Sequence, residues 1–154
     1  MPIKQTTPRS ALQASINNRV ERIRQALITT MMYAGEKVLE YARDPHRKRY
    51  TDRTGNLTSS MGYVVLDNGT PVKMSDFAPV QGNAKKKSQP LTGSQKGKEF
   101  LQRLMTENSQ GIVLIVVAGM PYAAYVEAKG YDVLDSAEIK AEDIVNRMLS
   151  KLKF

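Results

Sequence analysis

Residue types that perform chemistry are thinly spread along this chain of 154 residues, which has no Cys and a single His, His46. Disulfides, thiolate nucleophiles and Cys-based zinc sites are thereby excluded. His46 lies in the basic run Arg43-Asp44-Pro45-His46-Arg47-Lys48-Arg49. There it lacks the oriented partner that a general base needs and the companion ligands that a transition metal needs. Ser59-Ser60 has no nucleophile-elbow context. Gly93-Ser94-Gln95-Lys96-Gly97-Lys98 imitates a phosphate loop, but it has the wrong spacing and does not follow an apolar strand. Glu127, Asp132, Asp135 and Glu138 are open to two readings, a cation site or a solvated face with a helix cap, and the second is the simpler. A metal-dependent nuclease built on Asp52 and Glu127 would have a poor ligand set. The expectation is a protein that is not an enzyme, with no cofactor and no metal.

Charge offers more. The net charge is +8, and it is uneven. Residues 1–53 carry eleven basic and five acidic side chains, and residues 81–98 carry five Lys and no acid. Such a balance attracts nucleic acid, an anionic membrane or an acidic protein surface, or it serves solubility alone. Lys85, Lys86, Lys87, Lys96 and Lys98 are candidates for contact with DNA phosphates or an acidic partner. No aromatic residue is interleaved with them for base stacking. The longest apolar run, Ile112 to Ala118, is far short of a membrane span, so no membrane partner is expected.

The elements that must carry these residues follow from periodicity. Residues 1–9 read as a flexible N-terminal arm, and residues 10–154 as one domain with a mobile basic loop at 79–97, rich in Gly, Ser, Gln, Pro and Lys. Leu12, Ile16, Val20, Ile23, Leu27, Met31, Ala34 and Val38 recur in steps of three and four. They predict a long amphipathic helix over 10–42, capped by Ser10 and stopped before Pro45. Gly35 within it suits a close contact or a bend. Thr54 is placed to cap a short helix. A strand over 61–66 then turns at Asp67-Asn68-Gly69 into a second over 70–78. A helix over 96–107 precedes the β-branched run Ile112 to Val117, expected as the central strand. Tyr122 to Ala128 reads as a short helix closed by Gly130, and Tyr131 to Leu134 as an edge strand. A last helix is capped by Asp135 or Ser136, with Ile139, Ile144, Val145, Met148 and Leu149 facing inward. The sum is an α+β fold, with long N-terminal and C-terminal helices packed on a small, mainly antiparallel sheet.

Two segments go further: Tyr50-Thr51-Asp52-Arg53-Thr54-Gly55-Asn56-Leu57-Thr58-Ser59-Ser60 before a strand, and Met120-Pro121-Tyr122-Ala123-Ala124-Tyr125-Val126-Glu127 after an apolar strand. With the long first helix, their order and spacing resemble the head–tail connector, or tail-completion, family of tailed bacteriophages over roughly residues 10–135. The chain departs from that pattern where Glu127-Ala128-Lys129-Gly130 stretches the family's Glu-x-Gly, and in its long Lys-rich loop. The resemblance implies a virion protein made in the host cytoplasm that forms a homo-oligomeric ring in the neck. Its neighbours would be portal or adaptor proteins and tail proteins, and it would line or seal the DNA channel. It also implies an interface made by Arg53, Thr54, Gly55, Asn56, Leu57, Tyr122, Tyr125 and Glu127. Residue chemistry alone leaves Tyr122 and Tyr125 either at a subunit interface or packed on the sheet. A pairing of Glu127 with Arg53 across a subunit boundary rests on their charges. The rival class is a small basic nucleic-acid-binding protein.

Overall fold

A computed structural model describes residues 3–4, 6–47, 50–82 and 90–153. The elements run α1 (Arg9–Arg43), α2 (Asn56–Ser59), β1 (Met61–Asp67), β2 (Thr70–Met74), α3 (Pro90–Glu107), β3 (Ile112–Ala118), α4 (Ala123–Ala128) and α5 (Asp135–Ser150). The strands form an antiparallel sheet in the order β2-β1-β3. This is an α+β fold with a long N-terminal helix and a C-terminal helix, as the residue patterns predict.

β1 sits at the centre because both its faces are covered and every residue in it is buried. Met61, Tyr63 and Val65 point to one side, where they meet Ala34, Val38, Leu39 and Ala42 of α1 and Ala137 and Ile144 of α5. Val64 and Leu66 point to the other, against Phe77, which follows β2, and Leu101 of α3. The Tyr63 ring lies so close to α1 that a Cβ at Gly35 would be 2.5 Å from it, so Gly35 serves a close contact. The Tyr63 hydroxyl donates to Glu36 at 2.5 Å. Asn68 and Gly69 both have positive φ, which fits a two-residue hairpin of the primed type joining β1 to β2.

Several expectations are corrected. β3, expected at the centre, is an edge strand paired only with β1 among the described residues. Its apolarity comes from cover on both faces by helices, which a run of Val and Ile cannot distinguish from a strand neighbour on each side. Tyr131 to Leu134 is not a strand. β2 ends at Met74 rather than 78. α3 begins at Pro90, so residues 90–97 are helix instead of loop. α1 starts after Pro8 with no side-chain cap, so Ser10 lies inside the helix. Ile139 is 68% exposed and does not face inward. Finally, Leu12, Ile16 and Val20 carry the apolar stripe of α1 but remain 49%, 48% and 58% exposed. The stripe continues past the end of the core.

Candidate assembly surface

The segment from Tyr50 to Ser60 is organised by Asp52. Its carboxylate accepts the N–H of Gly55 at 2.9 Å and that of Thr58 at 2.8 Å, closing the entry to α2. Thr54 Oγ1 accepts the Asn56 N–H at 3.3 Å, but the residue at the cap position of α2 is Gly55, so the expected Thr54 cap is replaced by the Asp52 carboxylate reaching the Thr58 N–H. Gly55 has φ of +78°, and a Cβ there would sit 1.8 Å from the Val80 carbonyl oxygen, so no other residue fits. Ser59 Oγ donates to the Gly55 carbonyl at 2.6 Å and accepts the Val80 N–H at 2.8 Å. Asn56 Oδ1 accepts the N–H of Gly93 at 3.2 Å, tying α2 to α3. Within the expected interface set, Gly55 and Leu57 are therefore buried scaffold, and Arg53 and Thr54 are exposed.

The second motif folds onto the first. The Gly119 N–H donates to the Ser60 carbonyl at 3.1 Å, and the Met120 N–H to Ser60 Oγ at 3.3 Å. The Tyr122 hydroxyl lies near Thr54 and Asp52 of the first motif. Burial and the nearby Asp52 carboxylate push that hydroxyl above its ordinary pKa, against the Thr54 hydrogen bond. Burial likewise pushes the Tyr50 hydroxyl well above its usual range, with Asp52 adding to the shift, the Thr58 hydrogen bond opposing it, and Glu127 and Asp132 contributing less. Both motifs thus converge around Tyr50. Tyr122 and Tyr125 stand 40% and 64% exposed, on the surface rather than under the sheet, and Lys129 Nζ lies 5.2 Å from the Tyr125 ring centre.

Glu127 has a duty inside the chain. Its carboxylate accepts the N–H groups of Val133 (2.6 Å), Leu134 (3.2 Å) and Asp135 (2.8 Å). Asp132 Oδ1 accepts that of Ser136 at 3.0 Å. These are the donors that the start of α5 leaves without helical partners. The cap of α5 is therefore supplied by Glu127 and Asp132, and not by Asp135 or Ser136. Burial moves the Glu127 carboxyl above the ordinary range, partly offset by the Asp135, Val133 and Leu134 N–H donors. Asp52 and Glu127, considered together as nuclease ligands, are both engaged with backbone N–H groups. No group of three or more His, Cys, Asp or Glu among the described residues is arranged to hold a metal ion. Glu127→Ala should lower stability by about 1–2 kcal/mol through loss of the cap, read as a reduced urea midpoint at unchanged slope. Glu127→Gln, which keeps one acceptor oxygen, should recover part of it.

Of the basic candidates, Lys96 and Lys98 are exposed on α3, with Lys96 3.4 Å from Glu99. Lys85, Lys86 and Lys87 lie outside the described residues. A different basic feature emerges at the C-terminal end of α1. Lys37, Arg43, Arg47, Lys140 and Arg147 line an open hollow of about 680 Å³ with Tyr33 and Tyr41, where they outnumber the acidic Glu40 and Asp44. The Arg47 guanidinium stacks 3.6 Å from the Tyr41 ring centre. Its contributors come from positions a hundred residues apart, so only the packing of α5 on α1 reveals it. No helix among the described residues is long and apolar enough to cross a membrane. No family model matches the chain, and no curated protein and no solved structure matches it either.

Proposed function

We propose that the chain is a structural subunit of the neck of a tailed bacteriophage, a head–tail connector or tail-completion protein that assembles as a ring between portal vertex and tail. The observation that carries this reading is the meeting of the two motifs. Segments sixty residues apart, each carrying the resemblance, are stitched together through Ser60. They present the exposed tyrosines Tyr122 and Tyr125 on their joint surface. Exposed Tyr beside an ordered backbone is the composition of a protein–protein contact. Its role would be to fit against like subunits and against adjoining portal and tail proteins, without making or breaking bonds.

The test is electron microscopy of particles from a phage lacking the gene. Full heads without joined tails, or heads that lose their DNA, are expected. Normal tailed particles that retain DNA overturn the reading.

The basic hollow at Arg43, Arg47, Lys140 and Arg147 favours a second reading, a nucleic-acid-binding protein. That reading requires the isolated monomer to bind duplex DNA with an affinity that falls steeply with salt. It also requires Lys140→Glu with Arg147→Glu to flatten the dependence. Within a neck ring the same hollow could face packaged DNA.

A further inference from the structure

The N-terminal part of α1 leaves the domain as bare helix. Residues 9–22 are exposed on all sides, and the first buried position is Ile28. At 1.5 Å per residue this arm projects about 20 Å. Leu12, Ile16 and Val20 run along one side of it at four-residue steps. They form an apolar stripe that no other element covers among the described residues. Around the stripe, Arg9, Arg19 and Arg22 outnumber the acidic residues, since Glu21 is the one acid between 9 and 24 and is paired with Arg24 at 3.1 Å.

Elsewhere on the molecule lies a site of opposite character. β3 is an apolar edge strand with no strand on its other side among the described residues. Such an edge is a ready template for another chain unless it is covered. Beside it run two adjoining hollows of about 240 and 330 Å³ that share Val116 and Leu134. Phe100 and Leu104 of α3 wall one side, and Ala137 and Ala141 of α5 the other. The charged side chains lining them are Glu127, Asp135 and Glu138, and among the described residues no basic side chain does so.

We infer that the basic, apolar arm of α1 docks in the acidic-rimmed apolar groove beside β3 of a second copy of this chain. Three observations select this occupant. The stripe and the groove are both apolar and open, and their rims carry opposite charge, which favours this pairing over arm against arm, where Arg would face Arg. α1 is one unbroken helix, so the arm cannot turn back into the groove of its own chain. Arm and groove are different patches, so the contact is heterologous and each subunit offers one of each. Repetition then closes a ring or grows a filament. The inference rests on the reading that the chain assembles with itself, and it names the surfaces that do so.

The mass of the full chain in solution, measured by light scattering over a concentration series, tests it. Wild type should grow beyond a dimer. An arm variant, Leu12→Asp with Val20→Asp, should stay monomeric. So should a groove variant, Glu138→Lys with Ala141→Arg, which reverses the rim and fills the hollow. An equimolar mixture of the two should stop at the dimer, because each pair keeps one intact arm and one intact groove. Thermal midpoints close to wild type, within about 2 °C, verify folding. Should the groove variant prove unstable, Arg22→Glu and Glu138→Lys replace it. Each alone should weaken association, and the two combined in one chain should restore it. A wild-type chain monomeric at every attainable concentration, a groove variant that associates like wild type, or a mixture without dimer overturns the inference. These outcomes separate from failure of the neck assignment. Normal tailed particles without the gene would overturn that assignment alone, and a neck ring indifferent to the groove variant would overturn only the docking.

Discussion

Phe77→Ala should destabilise the protein by about 3–5 kcal/mol, a drop in thermal midpoint on the order of 10 °C for a chain of this length. Phe77 is 1% exposed and holds a positive φ of 48°, a conformation that a bulky residue adopts only where packing fixes it. Its ring fills the space between sheet and α3, among Val64, Leu66, Leu101 and Val117. The sheet supplies Gly62 at that point, where a Cβ would lie 2.3 Å from the ring. Truncation would leave a cavity walled on one side by the backbone of β1 and on the other by α3, neither free to collapse. The next residue is also anchored, since Arg43 of α1 donates to the Ala78 carbonyl. Calorimetry of the variant decides it. A loss of only a degree or two would mean that the ring is dispensable and that α3 is held by something else.

Gly97→Val should cost about 3 kcal/mol, and more if α3 detaches. A Cβ at Gly97 would meet the Ser60 carbonyl oxygen at 2.5 Å and the Phe77 ring at 2.5 Å. One turn earlier, a Cβ at Gly93 would meet the Asn56 carbonyl oxygen at 2.2 Å, and one at Gly119 would meet the Gly97 Cα at 2.5 Å. The obstacles are mostly backbone, which cannot rotate away. The first turns of α3 therefore lie directly on the chain that carries both motifs. Lys98→Val, one residue along on the exposed side of the same helix, should change stability by less than about 0.5 kcal/mol. Urea midpoints compare the pair, and hydrogen exchange should show the Gly97 variant losing protection first in α3. Equal effects at 97 and 98 would refute the close seam.

These residues also mark where the sequence was legible. The length of α1 could be read because its stripe repeats over many turns, and the β1–β2 hairpin because Asn68-Gly69 announces its own turn. The start of α3 could not. Gly93, Ser94, Gly97 and their Lys neighbours have the composition of a loop, since glycine costs a helix about 1 kcal/mol relative to Ala. What repays it is the approach of another backbone, which no local pattern records. The cap of α5 was hidden for a similar reason: Glu127 belongs to a different helix from the one it serves. The motif around Gly55 is legible as a turn, but nothing in its spacing marks Asp52 as the carboxylate that organises it. The α1 stripe follows from periodicity, but periodicity states only that a helix has an apolar side, and not whose core that side enters.

The unbroken course of α1 gives the residues between Ile28 and Val20 the character of a gear rather than a tether. An α-helix turns 100° per residue. Adding or removing one residue there would swing the Leu12–Val20 stripe a quarter turn or more relative to the sheet, with both halves still helical. A seven-residue insertion would return it to nearly the same heading, displaced outward by about 10 Å. The azimuth at which the stripe leaves the domain is thus written into a residue count along a single rod.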